Sequence, residues 1–126
     1  MANWTTGELD KIGKAEELEI ASLRQDGTLR KSRTIWVVRV SGEVYVRSVN
    51  GRGSDWFRGV LTRHEGRIQA GGVEKDVAFV EKDDAVLHGL IDAAYRQKYS
   101  HYPKEYVDSC VTPQARAATI QLVPRV

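Results

Sequence analysis

The feature that most constrains the fold is an apolar, β-branched run from Thr34 to Val40, closed by the turn dipeptide Ser41-Gly42. β-branched residues favour strands. Because side chains alternate between the two faces of a strand, this run puts apolar groups on both faces and predicts a strand buried on both sides. Glu43 to Val49 alternates as the second strand of a hairpin.

Further turn dipeptides divide the rest of the chain into short strands. Asp26-Gly27 follows a strand predicted from Glu19 to Arg24, and Gly71-Gly72 separates the strands His64–Ala70 and Val73–Glu81. The spacing in Ala117 to Val123 predicts a last strand, with Ala118, Ile120 and Leu122 on one face.

Two helices frame these strands. Thr5 and Glu8 have the spacing of a capping box and predict an N-terminal helix. Asp83-Asp84 begins a long helix in which apolar residues recur at helical spacing. A shorter helix is predicted from Asp55 to Leu61, with Ser54 as its N-cap.

Hairpin connections predict an α+β fold that is mainly β, with six or seven mostly antiparallel strands. So many short strands tend to close into a barrel, which removes exposed edges. We expect one domain over residues 1–126, with an N-terminal helix at 1–17, barrel strands at 18–81, a helical segment at 83–110 and a closing strand at 116–124.

Composition excludes several functions. The net charge of +2, without a polybasic tract, argues against nucleic-acid binding by bulk charge. No apolar run approaches the roughly 20 residues of a membrane helix. Cys110 is the only cysteine, which excludes an internal disulfide and fits the cytoplasm. His64, His88 and His101 are too scattered to predict a metal site.

The segment from Arg47 to Arg58 combines arginines, serines and glycines between a strand end and a helix start. The free N–H groups of a helix N-terminus bind anions, and arginine holds phosphate with paired hydrogen bonds. The segment therefore predicts a phosphate site, although a solvated loop with a serine-capped helix accounts for it equally well. Arg30, Lys31 and Arg33 form a second basic cluster, which edge-strand protection also explains.

An aromatic tract near the C-terminus allows two interpretations. Tyr95, Tyr99, Tyr102 and Tyr106 recur at helical spacing around His101. They either pack a helix onto the barrel or form the wall of a flat ligand pocket.

Four segments carry a resemblance to a known family: Ile35–Val40, Tyr45–Ser48, Gly53–Arg58 and Ile120–Pro124. With them the chain resembles the flavin-binding split β-barrel superfamily, which includes pyridoxamine-phosphate-oxidase-like and deazaflavin-dependent nitroreductase-like proteins. Within it, the chain is most similar to a small bacterial domain family of unknown function. The resemblance extends from about Leu18 to Arg125.

The resemblance implies a split-barrel homodimer with a flavin or deazaflavin in a groove between subunits. Relatives hold the phosphate at the strand end and the following loop, and contact the ring system from the segment before the apolar strand. We add Arg52, which lies in the same loop. The expected cofactor-binding residues are then Lys31, Arg33, Arg47, Ser48, Arg52, Ser54, Trp56 and Arg58. The apolar strand independently predicts a homodimer, because its second face needs a helix or a partner subunit.

The chain departs from both cofactor patterns. Many deazaflavin-binding relatives have a proline shortly after the arginine that precedes the strand, but Arg33-Thr34-Ile35 contains none. Many FMN-binding relatives have a lysine two residues beyond the loop serine, where this chain has Trp56. The sequence therefore leaves three alternatives: the chain binds FMN, binds deazaflavin, or has lost cofactor binding.

We expect a flavin- or deazaflavin-dependent oxidoreductase acting on a small molecule. The alternatives are a non-catalytic module for FMN, deazaflavin or another phosphorylated planar ligand, and a structural protein without a small ligand. No residue is identified as catalytic. Tyr99, Tyr102 and His101 are candidate proton donors.

Overall fold

The computed structural model describes residues 3 to 125, so the ends of the expected 1–126 domain lie outside it. Within these residues the chain forms seven strands, five α-helices and one 3-10 turn. The strands are β1 Leu18–Ser22, β2 Arg33–Ile35, β3 Val38–Val40, β4 Glu43–Arg47, β5 Glu65–Ala70, β6 Val73–Glu81 and β7 Thr119–Pro124. The helices are α1 Thr6–Lys14, α2 Asp55–Arg63, α3 Ala85–Lys98, α4 Lys104–Asp108 and α5 Pro113–Arg116, and Gly51–Gly53 is the 3-10 turn.

All seven described strands belong to one antiparallel sheet in the order β2-β1-β5-β6-β7-β4-β3. The two edge strands, β2 and β3, are separated by only Trp36 and Val37. Three Cα–Cα steps span at most about 11 Å, so the sheet must curl until its edges approach. The predicted antiparallel, mainly β split barrel is therefore confirmed, with its edges joined by the chain rather than by strand pairing.

The prediction of a single buried strand from Thr34 to Val40 is wrong. It is divided at Val37, whose N–H donates to the Tyr99 hydroxyl and whose carbonyl accepts from Tyr99 and from Lys98 Nζ. These side chains replace the strand partners of Val37. Arg33 and Thr34 are exposed and Ile35 is half-buried, so only the second half of the run enters the core.

Local signals correctly predicted most of the element ends. The capping box of Thr5 and Glu8 forms at α1. Asp84 caps α3 by accepting from the Leu87 N–H at 2.8 Å. Gly71 and Gly72 have φ of 57° and 86°, as a primed hairpin turn between β5 and β6 requires.

The end of the chain differs from the prediction. Arg116, expected at the start of the closing strand, is instead the last residue of α5. This helix forms because Thr112 accepts from the Ala115 N–H and Pro113 occupies the first helical position. The strand begins at Thr119 instead. Ile120 and Leu122 are buried on one face, as predicted.

The core has two parts, one on each side of the β3–β4 hairpin. The barrel interior holds apolar residues of α1, α2 and the curled sheet, among them Ile20, Val46, Phe57 and Ile120. The opposite face of the hairpin packs against α3 and the segment after it. This second part contains Val38, Tyr45, Ile91, Tyr95, Tyr99, Val107 and Cys110.

Candidate functional site

Trp56, in the first turn of α2, lines two neighbouring cavities of different character. The basic cavity, of about 200 Å³, lies between α2 and the segment joining β1 to β2. Its lining residues are Ile20, Ser22, Arg24, Arg30, Lys31, Arg33, Asp55, Trp56 and Val60. The aromatic cavity, of about 270 Å³, is lined by Thr34, Ile35, Trp36, Arg47, Val49, Trp56, Tyr95, Tyr106, Ser109 and Cys110.

Arg30 is the centre of the basic cavity. Its Nε is buried and has no hydrogen-bond partner in the described structure. A buried polar atom without a partner is costly, so it indicates a missing acceptor. Gly59 of α2 makes room for Arg30, because a Cβ at residue 59 would lie 3.1 Å from Arg30 Nε and 2.5 Å from Ser22 Oγ.

The cations of the basic cavity are not neutralised by the carboxylates around them. None of the ion pairs in the described part of the chain involves Arg30, Lys31 or Arg33. Asp55, the acidic lining residue, pairs with Arg58 instead. The cavity thus keeps an excess of positive charge beside the start of α2, and these residues fit a phosphate group.

The aromatic cavity fits a flat ring. Trp36 and Trp56 are half-buried, and Tyr106 is 57% exposed at its rim. Burial raises the pKa of the Cys110 thiol to about 11, so the thiol stays protonated at neutral pH. Burial likewise raises the pKa of Tyr95, which remains a neutral phenol. The cavity wall therefore offers stacking surfaces without a reactive thiolate.

Arg47 is not exposed at the loop surface where the sequence placed it. Its side chain is fully buried and pairs with Asp92 at 2.5 Å. It also donates to the Cys110 carbonyl at 2.9 Å and to Thr119 Oγ1 at 3.0 Å, and its Nη2 lies 3.0 Å from His88 Nδ1. Sequence reasoning missed this because the partners lie 41 to 72 residues away.

Asp92 joins two arginines, the buried Arg47 and the partly exposed Arg116. Arg116 donates to its second oxygen through Nε at 3.1 Å and Nη2 at 2.6 Å. Burial acts to raise the pKa of Asp92, but the hydrogen bonds and charges of Arg116 and Arg47 outweigh it and lower the pKa. We call Arg47, Asp92, Arg116 and His88 the Arg47 network; it ties β4 to α3 and α5.

The remaining loop residues do not converge on either cavity. Ser54 occupies the N-cap position of α2, but its hydroxyl lies 2.7 Å from Ser48 Oγ and makes no capping bond, contrary to the prediction. Arg52 pairs with Glu81 at 2.8 Å, and Arg58 pairs with Asp55 at 2.5 Å. Of the eight residues expected to bind the cofactor, the structure brings together Lys31, Arg33 and Trp56 around the basic cavity.

The candidate proton donors also lie elsewhere. The Tyr99 hydroxyl contacts the backbone of Val37 and Glu16, and the Tyr102 hydroxyl donates to the Glu16 carboxylate at 2.6 Å. His101 Nε2 lies 3.3 Å from the same carboxylate. The packing interpretation of the aromatic tract holds for Tyr95 and Tyr99, which lie in the core. Tyr95 and Tyr106 line the aromatic cavity, so the ligand-pocket interpretation stays a prediction.

Sequence reasoning did not assign Arg30 or Ser22 to this cavity, nor Gly59, which packs against both of them. Arg30 belonged to a recognised basic cluster, and its neighbours Lys31 and Arg33 were the signal that could have included it. Ser22 and Gly59 carried no such signal, because the packing of α2 on β1 brings them together.

Residues 3 to 125 contain neither a membrane-spanning helix nor a metal-binding cluster. No helix there is long and apolar enough to cross a membrane. No group of three His, Cys, Asp or Glu side chains within that range is arranged to hold a metal ion.

Several solved structures share this split-barrel fold. A candidate pyridoxamine 5'-phosphate oxidase from Listeria innocua matches at a TM-score of 0.66 and 14% identity, covering 94% of this chain and 90% of that one. HutZ, a heme storage protein from Vibrio cholerae, matches at 0.67 and 13%, covering 100% and 92%. An F420 reductase matches at 0.60 and 13%, covering 98% and 97%.

At such low sequence identity, these matches show that the fold is shared. They confirm the resemblance to the split-barrel superfamily. The sequence itself matches a family model over residues 8–122. The chain therefore belongs to the family described as uncharacterized protein conserved in bacteria, DUF2255. No curated protein matches the sequence.

Proposed function

We propose that this protein is a flavin- or deazaflavin-dependent oxidoreductase that acts on a small molecule. One observation carries the proposal: Trp56 is a wall common to a cation-rich cavity and an aromatic cavity. A ligand with a phosphate at one end and a planar ring at the other fits that arrangement. FMN and the deazaflavin cofactor both have this form.

Each cavity has its own part in this proposal. Arg30, Lys31 and Arg33 hold the phosphate, and the buried Nε of Arg30 gains its missing acceptor. Trp36 and Trp56 stack on the ring and exclude water from it. The cofactor supplies the hydride chemistry when it is bound, while the protein orients it.

Electrostatics of the aromatic cavity favour a neutral substrate. Arg47 is the charged residue of its wall, and it already has Asp92 as its ion-pair partner. Tyr95 stays a neutral phenol at the same wall. Burying a charged substrate there would leave it without a partner, which is costly.

A non-catalytic module that binds FMN, deazaflavin or another phosphorylated planar ligand accounts for the same two cavities. The two functions differ only in turnover. The heme storage protein with this fold makes hemin, a planar ligand without phosphate, the useful third probe.

The proposed active form is a cytoplasmic homodimer. Tyr106 at 57% exposure and Val49 at 40% leave apolar surface around the aromatic cavity. A second copy of the chain would bury this surface and enclose the ring. Light scattering is expected to give the mass of a dimer at micromolar concentration, and a monomer mass would contradict this part of the proposal.

The function is tested by titrating the purified protein with FMN, riboflavin, the deazaflavin cofactor and hemin while ligand fluorescence or absorbance is followed. We expect one of the two phosphorylated cofactors to bind. The reduced form of that cofactor is then offered with quinones and nitro compounds as acceptors. Binding with turnover supports the oxidoreductase, and binding without turnover supports the non-catalytic module.

The site is tested by filling the space beside Arg30. Gly59→Ala puts a Cβ against Arg30 Nε and Ser22 Oγ, and we expect it to weaken binding of the phosphorylated cofactor. Gly89→Ala is the matched control, because Gly89 is also helical and its added Cβ meets nothing within 4 Å. Hemin binding without flavin binding, or equal cofactor affinity in both variants, would contradict the proposal.

A further inference from the structure

Trp36 belongs to an aromatic cluster that continues from the cavity to the surface. Its ring stacks on that of Tyr99, with centroids 3.9 Å apart and planes inclined by 3°. On the same cluster, the ring centroid of Tyr102 lies 4.8 Å from that of Trp36. Trp36 also lines the aromatic cavity, whereas Tyr102 does not. The rings of Trp36 and Tyr102 thus connect the aromatic cavity with the side chain of Glu16, which the Tyr102 hydroxyl contacts.

The hydroxyls of the two tyrosines have different acceptors. Tyr99 OH lies 2.8 Å from the Glu16 carbonyl and 3.1 Å from the Val37 carbonyl, and a carbonyl is not a base. Tyr102 OH donates to the carboxylate of Glu16 at 2.6 Å. This carboxylate is 55% exposed, and His101 Nε2 lies 3.3 Å from its other oxygen. Only Tyr102 of this pair has a base that can accept its proton.

This difference matters for one-electron chemistry. A phenol is oxidised readily when its proton leaves together with the electron, and the product is a neutral radical. Without a proton acceptor, oxidation would produce a phenol cation radical. This species is a far stronger acid than the phenol, and forming it takes a much stronger oxidant than forming the neutral radical. An oxidised Trp36 therefore has a favourable electron donor in Tyr102, while the buried Tyr99 serves to hold the indole in place.

We propose that Trp36 and Tyr102 form a one-electron relay that carries an oxidising equivalent away from the aromatic cavity and ends as a tyrosyl radical at Tyr102. The oxidant is a one-electron acceptor such as the azide radical, which takes one electron from the Trp36 indole and becomes azide anion. The Trp36 radical cation then takes one electron from Tyr102, while the Tyr102 hydroxyl proton moves to Glu16 Oε2. The products are a neutral indole, a tyrosyl radical and a protonated carboxyl.

The relay needs no bound cofactor, so its test is independent of the proposed function. Azide radicals are generated in a solution of the full chain by pulse radiolysis, and the absorption bands of tryptophanyl and tyrosyl radicals are followed in time. We expect the tryptophanyl signal to decay into a tyrosyl signal at a rate that does not depend on protein concentration.

Three variants locate the steps. Tyr102→Phe is expected to abolish most of the delayed tyrosyl signal. Tyr106→Phe, which removes a more exposed tyrosine outside the ring contacts, is expected to retain it. Glu16→Gln keeps the Glu16 backbone carbonyl that Tyr99 contacts but removes the base, and is expected to slow the conversion by roughly tenfold or more.

Delayed tyrosyl formation that persists in Tyr102→Phe would overturn the relay, as would an unchanged rate in Glu16→Gln. A second measurement on the unmodified protein covers the case in which a variant does not fold. A nitroso spin trap is added during oxidation and its adducts are mapped by mass spectrometry. An adduct at Tyr102 supports the relay, and tyrosine adducts only at other positions overturn it.

Discussion

The Arg47 network and the basic cavity both gather arginines, but only in the first does each arginine have an ion-pair partner. Arg47 and Arg116 share the carboxylate of Asp92, which is 8% exposed. In the basic cavity Arg30 has a buried nitrogen without a partner. The first arrangement is complete in the folded chain, whereas in the proposed function the second gains its missing acceptor from a bound anion. We therefore assign the first to stability and the second to binding.

The largest expected effect is the loss of the buried ion pair. Arg47→Ala leaves part of Asp92 buried without its partner, and we expect it to reduce the free energy of unfolding by about 3–5 kcal/mol. Arg30→Gln is the control, because Arg30 has no such partner, and is expected to cost less than about 1 kcal/mol. Urea denaturation measures both. Equal effects of the two substitutions would contradict the division between the two regions.

A smaller effect is expected at Ser48 and Ser54. Their hydroxyls contact each other, and Ser48 is buried. Each single substitution to alanine leaves one hydroxyl without this partner and is expected to cost about 1 kcal/mol. Because one contact is shared, the double variant is expected to cost less than the sum of the singles. Additive losses would favour a separate capping role for Ser54 in α2.

The smallest effect is confined to acidic pH. Arg116 and Arg47 lower the pKa of Asp92 below its ordinary value of 3.8, despite its burial. A carboxyl with a lower pKa in the folded state stabilises the protein above the unfolded pKa, and this contribution is lost as the pH falls through the folded value. We expect the unfolding free energy of Asp92→Asn to depend less on pH below about 4 than that of the wild type. Identical pH profiles would contradict this role of Asp92.

Sequence patterns predicted those parts of the fold that depend on neighbouring residues. The capping box at Thr5 and Glu8, and the hairpin turn at Gly71-Gly72, need only a few consecutive positions. The division of the Thr34–Val40 run was not predictable in this way, because it depends on Tyr99 and Lys98 contacting Val37 across more than 60 residues.

The site shows the same limit. The composition of the loop from Arg47 to Arg58 gave no means of telling an arginine that faces solvent from one that is buried. Asp92, 45 residues further along the chain, decides the position of Arg47. The cluster Arg30-Lys31 was visible in the sequence, but its cavity depends on Gly59, which α2 brings against Arg30.

The central claim is that Arg30 binds the phosphate of a planar cofactor, and it is tested by the ratio of the affinities for FMN and riboflavin. We expect the wild type to favour FMN, and Arg30→Gln to lose about 1.5–3 kcal/mol of FMN binding with little change for riboflavin. Arg67→Gln is the matched control, since Arg67 is exposed and pairs with Asp76. An unchanged ratio in Arg30→Gln, with both ligands still bound, would contradict the claim.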